Sequence, residues 1–307
     1  MTEAKAYIEL RLLTIFAVKK DMQAFKPYNY TLSELSDRVE NILAIESSKY
    51  DRLATLKTIL GIIDLTTLSG DDTDQKVREL CKTGIEFRND EMGIPQVAAI
   101  CIYPVFVPLV KKELEGSGIR TASVAGAFPS GQSPLEIRVA EVDWAVEHGA
   151  DDIDMVISRG KLLEGEYDDI FDEVQEIKGS CQGAHLKVIL ETGELKTTEN
   201  IRKACELALM GGADFLKTST GKIEPAATPE AFLIMLDTIK EFYEKTKGTK
   251  IGIKPAGGIS TPDDAIAYYL LVKNILGEEW LNKDLFRIGA SRLAGKVYDE
   301  IIDLMTV

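Results

Sequence analysis

From residue 61 onward, short apolar runs alternate with longer stretches whose apolar residues recur every three or four positions. The runs fall at 62–65, 97–103, 121–127, 152–157, 186–191, 214–218, 251–254 and 286–289, all of strand length. Helical periodicity fills the spaces between them, as at 134–148, 197–211, 228–246 and 261–276. In the last of these, Thr261 reads as the N-cap and Pro262 as the first helical residue. Asp263 and Asp264 then occupy the first turn, where the helix dipole favours them. Before residue 61 the pattern is helical throughout. Ile8, Leu12, Ile15 and Phe16 recur at helix spacing, and Pro27 breaks that segment. Thr31 and Glu34 form a capping box opening a second helix, and a third run passes through Leu53, Leu56 and Leu60.

Eight strand–helix units in roughly 250 residues predict a (β/α)₈ TIM barrel. A doubly wound open sheet is the alternative, but no GxGxxG follows the first strand run. The expected division is a helical N-terminal extension over 1–60 and a catalytic barrel over 61–307. An appended helical stretch buries an apolar stripe, here over one end of the barrel or in an oligomer contact.

Composition narrows the function. The 307 residues carry a net charge of −14, which argues against general nucleic-acid binding. An anionic substrate therefore needs a local cationic cluster. No apolar run approaches the roughly 18 residues that cross a membrane, and no signal-peptide pattern opens the chain. A cytoplasmic protein is expected. Cys81, Cys101, Cys181 and Cys205 lack CxxC spacing and read as reduced thiols. His148 and His185 each precede a strand run, at the end of a barrel away from its usual site. Neither a histidine-ligated metal nor a Ser-His-Asp triad is expected.

In a barrel the site sits at the C-terminal ends of the strands. There the sequence puts Asp64 and Thr66, Cys101, Asp154, Glu191, Lys217, Lys254 and Gly289 to Arg292. Residues two apart share a strand face, so Asp154, Lys217 and Lys254 are assigned inward. A lysine beside a second cation in a partly desolvated site loses its proton more easily, as an amine nucleophile must. Asp154 balances the excess positive charge and can move protons through a water. The alternative is a structural ion-pair cluster. Gly257-Gly258 and the turn from Gly289 to Arg292 match the usual barrel phosphate site, with Ser291, Arg292 and Lys222 adding polar contacts. A Gly-Gly pair can also be a simple turn. Cys101 reads either as pocket-lining or as a small buried hydrophobe. Glu191 and Glu194 receive no assignment.

The ordered segments at 63–68, 99–104, 149–155, 187–195, 212–222, 254–258 and 289–291 resemble deoxyribose-phosphate aldolases, a class I aldolase family. The resemblance implies reversible cleavage of 2-deoxy-D-ribose 5-phosphate to acetaldehyde and D-glyceraldehyde 3-phosphate. It implies that Lys217 forms the Schiff base, Lys254 depresses its pKa and Asp154 relays protons. Asp64 and Thr66 would line the substrate hydroxyl region, and Gly221, Lys222, Gly257, Gly258 and Ser291 would surround the phosphate. No metal or organic cofactor is implied, and the partners are the sugar phosphate and aldehydes, with a homo-oligomer as a hypothesis. Arg292 stands where the family commonly has a second serine. Residues 303–307 hold no tyrosine, so tail-assisted proton transfer is not expected. The competing readings are a lysine-imine barrel acting on a larger sugar phosphate, as transaldolases do, and a non-catalytic phosphosugar-binding barrel.

Overall fold

The structure is a computed structural model describing residues 25–306. The helix expected through Ile8 and Phe16 lies outside the described residues. Eight parallel strands form one sheet: β1 (Ile63–Thr66), β2 (Ala99–Ile102), β3 (Arg120–Ala125), β4 (Asp152–Val156), β5 (His185–Ile189), β6 (Phe215–Lys217), β7 (Gly252–Lys254) and β8 (Ile288–Ala290). Their order is β7-β6-β5-β4-β3-β2-β1-β8. Parallel bridges at Ile253–Phe286 and Ala256–Gly289 close the cylinder between β7 and β8. Arg287 N–H donates to Ile253 O at 3.0 Å and Gly289 N–H to Pro255 O at 2.9 Å across that seam. The expected (β/α)₈ barrel is therefore present.

Among the described residues two helices precede the barrel, α1 (Leu32–Glu46) and α2 (Arg52–Leu60). Within it follow α3 (Asp74–Glu86), α4 (Val107–Glu113), α5 (Leu135–Glu147), α6 (Arg159–Glu164), α7 (Tyr167–Ser180), α8 (Thr192–Leu195), α9 (Thr198–Met210), α10 (Pro229–Lys245), α11 (Pro262–Leu276) and α12 (Leu293–Thr306). The capping box read at Thr31 forms, and the N-cap read at Thr261 forms as a capping box with Asp264. Each such cap satisfies backbone N–H groups that the first turn leaves without helical partners.

Helix α1 lies along α10 and α11, and α2 along α11 and α12. Leu35, Leu56, Ile59 and Leu60 are fully buried there. Arg38 pairs with Asp237 at 2.7 Å, and Arg52 with Asp263 at 2.8 Å. The helices before the barrel thus overlie the helical layer of its last units.

Period-two alternation splits the apolar core. Outward residues such as Ile63, Ile100, Ile153 and Leu216 join the layer between strands and helices. Each such side chain contributes about 1.5–3 kcal/mol by burial. A second, smaller cluster lies apart from that layer and gathers Leu68, Ala99, Cys101, Ala122 and Val124. The same inward alternation on β1 and β4–β7 presents charged side chains instead.

Candidate active site

Those charges come from neighbouring strands whose register sets them side by side. Lys217 ends β6 and pairs in register with Lys254, which ends β7. Asp154 on β4 pairs in register with Lys187 on β5. Lys217 Nζ and Lys254 Nζ each donate to Asp154 Oδ2 at 2.7 Å. Lys254 also donates to Asp64. Arg287 donates to Asp64 at 2.7 Å and to Asp152 at 3.3 Å. Lys187 Nζ lies 2.7 Å from Asp152 and 3.3 Å from Asp154 without hydrogen-bond geometry, so its hold on them is coulombic.

Asp64, Asp152, Asp154, Lys187, Lys217, Lys254 and Arg287 are all buried. Arg120 also donates to Asp152, at 2.9 Å from a partly exposed position. With Lys217 protonated, five cations would therefore face three carboxylates, and because excess buried charge is costly the cluster favours an uncharged Lys217. Burial is the largest force lowering the Lys217 pKa. Asp154 opposes it and the Lys254 ammonium adds to it. Lys254 goes the other way. Burial works against its charge, but Asp154 and Asp64 together outweigh it and hold the ammonium protonated. The opposite directions for two amines on one carboxylate follow from Lys254 having a second carboxylate. Burial also opposes the charge on Asp154, yet Lys187, Lys217 and Lys254 keep it well below the usual carboxylate range.

Above this cluster opens a cavity of about 280 Å³. Lys217 reaches it from below. Thr66, Gly221, Lys222, Gly257, Gly258 and Ser291 also line it. Gly257 has φ +80°, and a Cβ there would lie 2.6 Å from Ala226 Cβ and 3.0 Å from Gly221 Cα. Only glycine lets the loops after β6 and β7 approach this closely. Lys222 spans the mouth and donates from Nζ to Leu68 O. Ser291 lies just before the start of α12, where helix N–H groups are available to an anion.

The sequence-derived residues thus occupy two tiers. Lys217, Thr66, Gly221, Lys222, Gly257, Gly258 and Ser291 share the cavity. Asp154 and Lys254 sit beneath Lys217 and touch it or its carboxylate. Asp64 is fully buried and is an ion-pair partner of Lys254 and Arg287 rather than part of the cavity wall. Cys101 is fully buried in the inner apolar cluster, and burial raises its thiol pKa. Arg292 is exposed and is not part of the wall. Three members of the cluster received no role from sequence, Asp152, Lys187 and Arg287. The signal for the two cations was a single positive charge inside an otherwise apolar strand run, facing the same side as Asp154 and Asp64. The signal for Asp152 was its place two residues before Asp154 on one strand face.

Comparison with known proteins agrees with this geometry. A family model described as DeoC/LacD family aldolase matches residues 58–268. A deoxyribose-phosphate aldolase of Homo sapiens is 44% identical over 281 residues, covering 88% of each chain. A crystal structure of a putative deoxyribose-phosphate aldolase from Coccidioides immitis superposes with TM-score 0.67 at 27% identity, covering 91% of this chain and 99% of that one. A deoxyribose phosphate aldolase from Aeropyrum pernix, described as having a unique tetrameric structure, gives TM-score 0.64 at 25% identity, covering 91% and 100%. The chain belongs to the DeoC/LacD family of aldolases, carbon–carbon lyases built on the TIM barrel. Within that family the relatives it matches so extensively are deoxyribose-phosphate aldolases, the branch its motifs resemble.

Proposed function

We propose that this aldolase reversibly cleaves 2-deoxy-D-ribose 5-phosphate to acetaldehyde and D-glyceraldehyde 3-phosphate through a Schiff base on Lys217. The observation that carries the reading is the shared carboxylate. Lys217 reaches the cavity while Asp154, 2.7 Å away, is bonded equally closely to a second lysine. That arrangement favours a neutral, nucleophilic amine at Lys217.

In the proposed route the Lys217 amine adds to the aldehyde carbon of the open-chain sugar, and water leaves to form the imine. Removal of the C3 hydroxyl proton breaks the C2–C3 bond and releases glyceraldehyde 3-phosphate. The bonding electrons pass to the imine, giving an enamine. Protonation at C2 and hydrolysis then free acetaldehyde. Asp154, hydrogen-bonded to both lysines, is the assigned proton relay through a water, and Lys254 supplies the fixed positive charge. The imine is the electron sink, so the route draws on no metal or organic cofactor. Gly221, Lys222, Gly257, Gly258 and Ser291 are assigned to the phosphate, supported by their common cavity. Thr66 is assigned to the sugar hydroxyls, with Asp64 supporting from below.

We further assign residues 1–60 to a helical extension and 61–307 to the catalytic barrel, and place the protein in the cytoplasm. No helix among the described residues is long and apolar enough to cross a membrane. A homo-oligomer is consistent with the tetramer described for the Aeropyrum protein.

The decisive experiment is chemical trapping. Incubation with acetaldehyde and reduction with borohydride is expected to add two carbons to Lys217, located by peptide mass mapping, and Lys217→Ala is expected to lose the adduct. Labelling of another lysine would overturn the assignment.

A further inference from the structure

The loop after β5 carries a feature that the proposed chemistry does not use. Glu191 follows β5 with φ +58° and ψ +59°, in the left-handed region that non-glycine residues avoid. Its side chain is buried. The carboxylate accepts two hydrogen bonds from one residue, from Thr220 N–H at 3.2 Å and from Thr220 Oγ1–H. Thr220 Oγ1 in turn accepts from Lys222 N–H at 3.1 Å. Both Thr220 and Lys222 line the cavity. Two residues beyond Glu191, a Cβ on Gly193 would fall 2.0 Å from Pro225 O, so the loops after β5 and β6 are in close backbone contact.

These observations share one geometric result. The left-handed turn at Glu191 keeps its carboxylate beneath the 220–222 turn, which has no secondary structure of its own to fix it. We infer that Glu191 is a positioning residue for the phosphate-binding half of the site, fixing the 220–222 turn through its carboxylate. It touches neither Lys217 nor Asp154 by hydrogen bond, so it acts on substrate binding rather than on the amine. This inference rests on the phosphate assignment made under the proposed function.

The test compares 2-deoxyribose 5-phosphate with unphosphorylated 2-deoxyribose. Wild type, Glu191→Gln and Glu191→Gly are assayed, glycine being chosen because it keeps the left-handed backbone without strain. In Glu191→Gly the KM for the phosphorylated sugar is expected to rise about tenfold or more, with kcat within about twofold. For the unphosphorylated sugar kcat/KM is expected to stay within about twofold of wild type. Glu191→Gln keeps one acceptor oxygen and is expected to fall between wild type and the glycine variant. Borohydride trapping of acetaldehyde on Lys217 is expected at wild-type yield in both variants. Loss of that adduct, an equal loss on both sugars, or an unchanged KM would overturn the role given to Glu191. A wild-type enzyme with no preference for the phosphorylated sugar would instead remove the phosphate assignment, and this inference with it.

Discussion

At the scale of single residues, the two lysines divide the labour by their carboxylate partners. Among the described residues Lys217 pairs with Asp154 alone, whereas Lys254 pairs with Asp154 and Asp64. Activity on the proposed route needs the neutral Lys217 amine, so it should rise with pH through a Lys217 pKa set below the usual lysine value by burial and by Lys254. Lys254→Leu removes one cation and leaves Asp154 and Asp64 undercompensated, and both changes raise the Lys217 pKa. The rising limb of the kcat–pH profile is therefore expected to move to higher pH, with kcat lower by about a hundredfold or more. A profile with an unmoved limb would remove Lys254 from the role given to it. Alternation along β4, β6 and β7 made the inward direction of Asp154, Lys217 and Lys254 legible in the sequence. That burial exceeds the neighbouring charge as a cause was not legible, because it depends on how the whole cylinder excludes water.

At the scale of elements, the loops after β5, β6 and β7 behave as one interlocked layer. Gly193 meets Pro225, and Gly257 meets both Ala226 and Gly221. Gly257→Ala introduces a Cβ with no space and at φ +80°. Overpacking of this kind costs about 1–3 kcal/mol. The layer has an open side toward the cavity, so the turns are expected to shift there. KM for the phosphorylated substrate should rise about tenfold, at nearly unchanged yield in the trapping reaction. Steady-state kinetics beside the trapping assay checks both halves. The elements themselves were largely readable. Thr31 and Thr261 announced their helices by capping chemistry, and the eight apolar runs became eight strands. The run at 97–103 shortened to Ala99–Ile102, because ladder pairing depends on the neighbouring strand and not on the run alone. The apolar stripes of α1 and α2 signalled burial without saying against what. The answer, the layer of α10–α12, is a property of the assembled surface.

At the scale of the whole molecule, the counted units gave the barrel and alternation gave the inward charges, but nothing local announced which of those charges would pair across it. Asp64 and Arg287 are 223 positions apart, and Asp64 and Lys254 are 190. Arg287→Met leaves Asp64 and Asp152 short of a buried partner. Breaking a buried pair on one side typically costs about 3–5 kcal/mol. The variant is expected to show a matching drop in unfolding free energy by denaturant titration. A loss below about 1 kcal/mol would mean that water already reaches the cluster.

The distance along the chain between these partners has a consequence for synthesis. While the chain leaves the ribosome, β1 emerges carrying Asp64 long before β7 and the Arg287 segment exist to pair with it. A half-built cylinder already gives Asp152 and Asp154 the cations of Arg120 and Lys187, but it leaves Asp64 without Lys254 and Arg287, the two that bond it. The Asp64 carboxylate stays without a bonded cation until those last segments arrive, and the seam between β7 and β8 is then the stitch that makes that corner of the interior habitable for charge.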